Sequence, residues 1–163
     1  MNRPPRWLFL VPGLIAIVWL GWWLFGQSAE KQVRSAQGKF LVAVEKRNWK
    51  KVQSFLADDY SDSYGLNRET APGTAAEVLK GFLFLTLETS VLPFQPSPSP
   101  PAAQVQVRIR MDGRGLGLSP IVMDRVNALQ QPWLFHWRKD GPWHWDWKLT
   151  RIHHPELQVQ SFQ

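Results

Sequence analysis

Residues 132–157 read PWLFHWRKDGPWHWDWKLTRIHHPEL, and this stretch decides the fold. Trp133, Phe135 and Trp137 fall at every second position, and so do Trp143, Trp145, Trp147 and Leu149 beyond Lys139-Asp140-Gly141-Pro142. A period of two on both sides of an Asp-Gly pair marks a β-hairpin. A two-residue turn at Asp140-Gly141 would pair Trp137 with His144 and put the two aromatic sets on opposite faces. A three-residue loop pairs Lys139 with Trp143, Trp137 with Trp145, Phe135 with Trp147 and Trp133 with Leu149, which gathers every large ring on one face. A slip by one residue would expose rings of about 150–250 Å² each. The sequence therefore predicts the three-residue loop and a buried ladder of Trp133, Phe135, Trp137, Trp143, Trp145 and Trp147. Core packing is the expected role of that ladder; a stacking platform for a base or sugar is the functional alternative.

The opposite face of the hairpin carries His136, Arg138, His144, Asp146 and Lys148. His136 and His144 lie diagonally there with Asp146 beside them, but exposed strand histidines without a third near ligand rarely hold a metal. No metal or cofactor is expected. His153-His154 precedes Pro155 at the expected end of a strand.

Upstream, Val105, Val107, Ile109 and Met111 alternate with Gln104, Gln106, Arg108 and Arg110, a half-buried strand with a basic outer face. Gly113, Gly115 and Gly117 form a glycine-rich turn without the lysine and helix of a phosphate loop. Pro120 to Leu129 is read as a further long strand, broken near Pro120. Residues 93–103 form a proline-rich loop, a solvated connector. Before it, Leu83, Leu85, Leu87 and Val91 suggest the first strand.

Three helices precede the strands. Ser28 is positioned to cap one whose stripe is Val33, Ala36, Phe40 and Val44. Trp49, Val52, Phe55 and Leu56 share one face of a short second helix. Thr74 and Glu77 have capping-box spacing ahead of Val78, Leu79, Phe82 and Leu83. The stretch from Tyr60 to Gly73 is polar and irregular.

The chain has 163 residues, ten tryptophans and no cysteine, which excludes disulfides, zinc thiolates, a thiol nucleophile and lipoprotein attachment. Residues 7–26 read WLFLVPGLIAIVWLGWWLFG and carry no charge. At about 1.5 Å per residue they span about 30 Å, the thickness of a bilayer's hydrocarbon core. Trp7 stands at one end and Trp22 and Trp23 at the other, where indoles favour the interface. This segment is expected to be an uncleaved transmembrane helix; a cleaved signal peptide has a shorter apolar region and a small-x-small site. Arg3 and Arg6 make residues 1–6 a basic tail that favours the cytoplasm. Residues 28–163 would then form one soluble domain outside, periplasmic in a Gram-negative cell. The formal charge of +6 is scattered, which argues against a nucleic-acid site.

Two stretches resemble the nuclear-transport-factor-2-like (cystatin-like, SnoaL-like) superfamily. Residues 49–65, WKKVQSFLADDYSDSYG, look like its helix and acidic-aromatic turn, and residues 132–157 are similar to its final hairpin. The resemblance implies an α+β fold with three N-terminal helices on a curved, cone-shaped antiparallel sheet. It also implies a ligand cone, and homodimers through the open sheet face. It carries no catalytic residue onto this chain, because enzymes and accessory domains share the layout.

Three functional readings follow. The first is a membrane-anchored, non-enzymatic accessory domain that binds a protein partner or a small ligand. The second is an isomerase- or dehydratase-like enzyme using Asp124, which shares strand parity with Val122 and Val126, together with Tyr60 or Tyr64. The third is a polyanion-binding surface of Arg108, Arg110, Arg138 and Lys148. If residues 7–26 are a permanent span, alkaline carbonate will leave the chain in the membrane pellet. Its intact mass will include Trp7 to Gly26; a soluble product beginning near Glu30 would contradict this.

Overall fold

The computed structural model of the chain describes residues 28–96 and 102–157. The expected membrane span 7–26, with Trp7, Trp22 and Trp23, lies outside the described residues. Among the described residues no helix is long and apolar enough to cross a membrane.

Helix α1 (Ala29–Glu45) is capped by Ser28, whose Oγ accepts from the Lys31 N–H at 3.4 Å. Its buried face is Val33, Ala36, Gln37, Phe40 and Leu41, at helical spacing. Arg47, at φ 53°, turns the chain sharply into α2 (Trp49–Phe55), capped by Asn48. Helix α3 (Thr70–Leu79) begins earlier than the Thr74–Glu77 spacing predicts. Asn67 accounts for the difference, since its side-chain oxygen accepts from the Glu69 and Thr70 N–H groups at 3.0 and 2.9 Å. Glu77 pairs with Lys80 instead. Phe82, expected on this helix, opens the first strand.

The strands are β1 (Phe82–Val91), β2 (Gln95–Pro96), β3 (Ala102–Gly115), β4 (Trp133–Lys139) and β5 (Trp147–His153). They form one antiparallel sheet in the order β1-β3-β4-β5, with β2 also on β3. The proline-rich connector is thus partly strand, because Gln95 and Pro96 pair with Gln104 and Ala103. Register shifts near Phe82–Phe84 and His136–Trp137 bend the sheet around α1, which touches β1, β3 and β5.

Two larger sequence expectations also fail. Residues Ser119–Asn127 are helix α4, not a strand. Pro120 in the first turn suits a helix start, and Val122, Met123 and Val126 form one apolar helical face. The glycines before it permit the close approach: a Cβ on Gly115 would lie 2.5 Å from the Gly81 carbonyl oxygen and the Ser119 hydroxyl. Asn127 then bonds both the N–H and the C=O of Met111, at 2.8 and 2.9 Å, on the part of β3 that β4 does not reach.

The second correction is the hairpin register. Lys139 pairs with Trp147, Trp137 with Leu149 and Phe135 with Ile152, so the loop runs from Asp140 to Asp146. Pro142 has no N–H to give a ladder. Asp146 organises the loop in its place, accepting the Trp143 N–H on its side chain at 3.0 Å and the Asp140 N–H on its carbonyl at 2.9 Å. Phe135, Trp137 and Trp147 are buried as expected, and Trp133 partly so. Trp143 and Trp145 are 43% and 55% exposed and stack on each other at 5.3 Å.

Beneath α1 the two buried indoles find acceptors. Trp137 Nε1 donates to Gln37 Oε1 at 2.8 Å, and Trp147 Nε1 donates to Gln32 Oε1 at 3.2 Å. Gln37→Leu should cost about 1–3 kcal/mol in denaturant unfolding, because it strands the Trp137 N–H in a dry core. The double variant Gln37→Leu/Trp137→Phe should recover part of that loss.

Candidate functional site

Between α1, α2, α3, α4 and the inner sheet face lies a cavity of about 330 Å³. Such a volume is at the lower end of the range of about 300–1,000 Å³ for small-molecule sites. Its lining is almost wholly apolar, with Phe40, Leu56 and Phe135 in the core and Thr74, Ala75 and Val78 of α3 along one wall. Val122 and Val126 of α4 and Trp133 of β4 complete it.

The polar side chains in this lining come chiefly from the turn after α2, which runs beside β5. Ala57 and Ser61 donate backbone N–H groups to Leu149 and Thr150 carbonyls at 2.9 and 3.2 Å. Asp62 Oδ1 accepts from the N–H groups of Tyr64 and Leu66 at 2.8 and 2.9 Å, and its Oδ2 accepts from the Tyr60 hydroxyl at 3.2 Å. Gly65, at φ 79°, closes the turn.

Tyr60 and Tyr64 both line the cavity, as the sequence reading expects. Burial, reinforced by the Asp62 carboxylate, holds the Tyr60 hydroxyl far above its ordinary pKa of 10.0, so it stays neutral. Burial also raises Tyr64, opposed by the nearby His154 backbone N–H. That N–H is not in bonding geometry, and the Tyr64 hydroxyl is buried without a hydrogen-bond partner among the described residues. The same holds for Trp133 Nε1, whose ring packs edge-on against His154 at 4.8 Å. Two unpaired donors of the cavity lining therefore sit around one residue. His154 is itself fully buried: its Nδ1 accepts from the Glu156 N–H at 3.2 Å, so Nε2 donates to the Gln131 carbonyl at 3.0 Å.

Asp124 lies elsewhere. On a helix it falls on the side opposite Val122 and Val126, and it is exposed to solvent outside the cavity lining. Strand parity misplaced it because residues 119–127 are helical. The carboxylate at the cavity wall is Asp62, which the sequence reading passed over; the turn signature Asp62-Ser63-Tyr64-Gly65 was the available signal.

The other candidates are dispersed. His136 lies within β4 while His144 and Asp146 belong to the loop, and no cluster of metal-ligating side chains occurs among the described residues. Of the four cations in the polyanion reading, Arg138 forms ion pairs with Asp59 and Asp140, each at 2.7 Å. Lys148 donates to the Ser54 carbonyl at 2.6 Å. Arg108 and Arg110 are exposed on β3, opposite Ser90 and Glu88 of β1.

Solved structures share this architecture. An NTF2-like protein from Cytophaga hutchinsonii is 16% identical, with a TM-score of 0.52 over 77% of this chain and 96% of that one. A putative scytalone dehydratase from Novosphingobium aromaticivorans is 12% identical, at 0.53 over 76% and 80%. An NTF2-like protein of unknown function in nutrient uptake, from Rhodospirillum rubrum, is 20% identical, at 0.51 over 74% and 94%. No protein-family model and no curated protein matches the sequence. At these identities the likeness establishes the nuclear-transport-factor-2-like fold and nothing finer.

His136 generates a test of the outer face. Burial, then the charges of Arg151 and His153, push its pKa below the ordinary 6.5. The folded state therefore binds fewer protons than the unfolded one, and stability is lost as pH falls below 6.5 toward the folded value. The thermal midpoint of His136→Gln should drop less than that of the parent chain between about pH 8 and about pH 5.

Proposed function

We propose that this nuclear-transport-factor-2-like domain binds a small, mostly apolar ligand without transforming it, and that residues 7–26 tether it to the outer face of a membrane. One observation carries the binding reading: the carboxylate at the cavity wall is already committed. Asp62 accepts from two backbone N–H groups and from Tyr60, which fixes the turn that forms the wall. A general base must present a lone pair to the substrate proton, and the cavity surface is almost wholly apolar. Asp124 cannot supply one from the solvent side of α4. The cavity offers about 330 Å³ of almost wholly apolar space, which suits a small greasy molecule. The tether is supported by the uncharged run 7–26, its flanking tryptophans and the basic residues before it.

Acetonaphthone, an aromatic ketone, probes this reading. Titrated into the full chain in lipid nanodiscs, it should show saturable saturation-transfer signals. Ala75→Trp, which fills the cavity from α3, should weaken binding by about tenfold or more. Asp124→Asn should leave it unchanged. Equal affinity in the Ala75→Trp variant would place the site elsewhere. Exchange of the ketone's methyl protons with solvent deuterium, abolished by Asp62→Asn, would favour an isomerase-like enzyme instead.

A further inference from the structure

The stacked Trp143–Trp145 pair is exposed and lies outside the cavity lining and the buried core cluster. Indoles are large and costly to leave in water, and an exposed pair at the tip of a loop marks a surface that meets something less polar. Where this loop sits gives the occupant. Trp147 Nε1 and Lys139 Nζ, at the two roots of the loop, both donate to Gln32 Oε1 at 3.2 and 3.3 Å. His144, Trp145 and Asp146 also share a groove with Gln32, Ser35 and Lys39 of α1. The loop is therefore fastened beside the first turns of α1, and α1 starts at Ala29, directly after the uncharged run that ends at Gly26.

The reach can be bounded. Three residues from Gly26 to Ala29 span at most about 10 Å when extended, and Ala29 to Gln32 adds about 5 Å of helix. Gln32 then lies within about 15 Å of the end of the apolar run, and the headgroup zone covers about 5–8 Å of that. A loop of seven residues, Asp140 to Asp146, is long enough to bridge the remainder. Charge favours the same partner. Lys39 and Lys51 line the groove beside Trp145, while the loop's acidic groups are engaged locally, Asp140 with Arg138 and Asp146 with the Trp143 N–H. Amphipathic rings backed by lysines suit an interface with anionic headgroups.

We propose that the Trp143–Trp145 loop inserts into the headgroup layer of the bilayer that residues 7–26 span, giving the domain a second membrane contact that sets its orientation. This rests on the tether reading, so the experiment separates the two. The chain has no cysteine, so a single introduced one can carry an environment-sensitive fluorophore. Three full-length variants, Leu14→Cys, Pro142→Cys and Asp124→Cys, are reconstituted in phosphatidylethanolamine–phosphatidylglycerol vesicles containing nitroxide lipids. Leu14 lies in the apolar run and Pro142 at the loop tip; Asp124 is on α4, beyond the opposite end of β3.

The label on Pro142→Cys should be blue-shifted and quenched by shallow nitroxides at least about two-fold more than the label on Asp124→Cys. Adding Trp143→Ser and Trp145→Ser should abolish the difference. If the Pro142 label behaves like the Asp124 label while the Leu14 label is quenched by deep nitroxides, the loop proposal is overturned and the tether stands. If the Leu14 label is itself in water, both fall. Quenching at Pro142 that survives loss of both indoles overturns the proposal too. So does an aqueous label accompanied by a tryptophan fluorescence change with soluble oligosaccharide, which would assign the pair to sugar stacking.

Discussion

Two buried indole N–H groups organise this domain. Trp137 and Trp147 lie on neighbouring strands of the inner sheet face, and each must find an acceptor where water does not reach. Helix α1 supplies both from one side, Gln37 to the first and Gln32 to the second. Because an unsatisfied buried donor costs about 1–3 kcal/mol, these bonds fix the helix's axial position on the sheet as well as its face. Apolar packing alone would leave that position loose. Phe40 packs edge-on against Phe55, Phe135 and Trp137 at about 6 Å, which joins α1 and α2 to the same sheet face.

With α1 held there, the space beyond it must be closed by other elements. Helix α4 covers the part of β3 that β4 does not reach, and Asn127 replaces a missing strand by bonding both backbone groups of Met111. Helix α3 forms the facing wall, and the Asp62 turn fills the gap beside β5. Closure is incomplete, which is why a cavity remains.

Polar groups in the domain divide by commitment. Asp62, Gln32, Gln37 and His154 are buried or half-buried and bonded to named partners, so they serve architecture. Tyr64 and Trp133 line the cavity with their rings, while their donor atoms are buried without a hydrogen-bond partner among the described residues. The exposed Trp143–Trp145 pair is likewise outside the architectural network of the core. The apolar cavity surface and the exposed indole pair, and not the bonded polar groups, are the places where a ligand or a bilayer can be recognised.

Much of the fold was legible along the chain. The stripes of α1 and α2, the alternation of β3 and the aromatic inner face of β4 each rest on a local period, and a local period survives translation into three dimensions. Tyr60 and Tyr64 were candidates for the lining only through the resemblance and its ligand cone, since no local period runs through their turn. Three features were decided only by tertiary structure. Ser119–Asn127 holds Ile121, Val122 and Val126, which favour strands, yet it folds as a helix because the unpaired side of β3 needs an apolar cover and Gly115 lets one approach. That choice moved Asp124 to the surface. The hairpin register depended on Asp146 bonding across the loop, and on a bulge between His136 and Trp137 that no alternation rule anticipates. The loop then left two indoles outside a core that was already full, since burial is settled by the space available between packed elements and not by hydrophobicity alone.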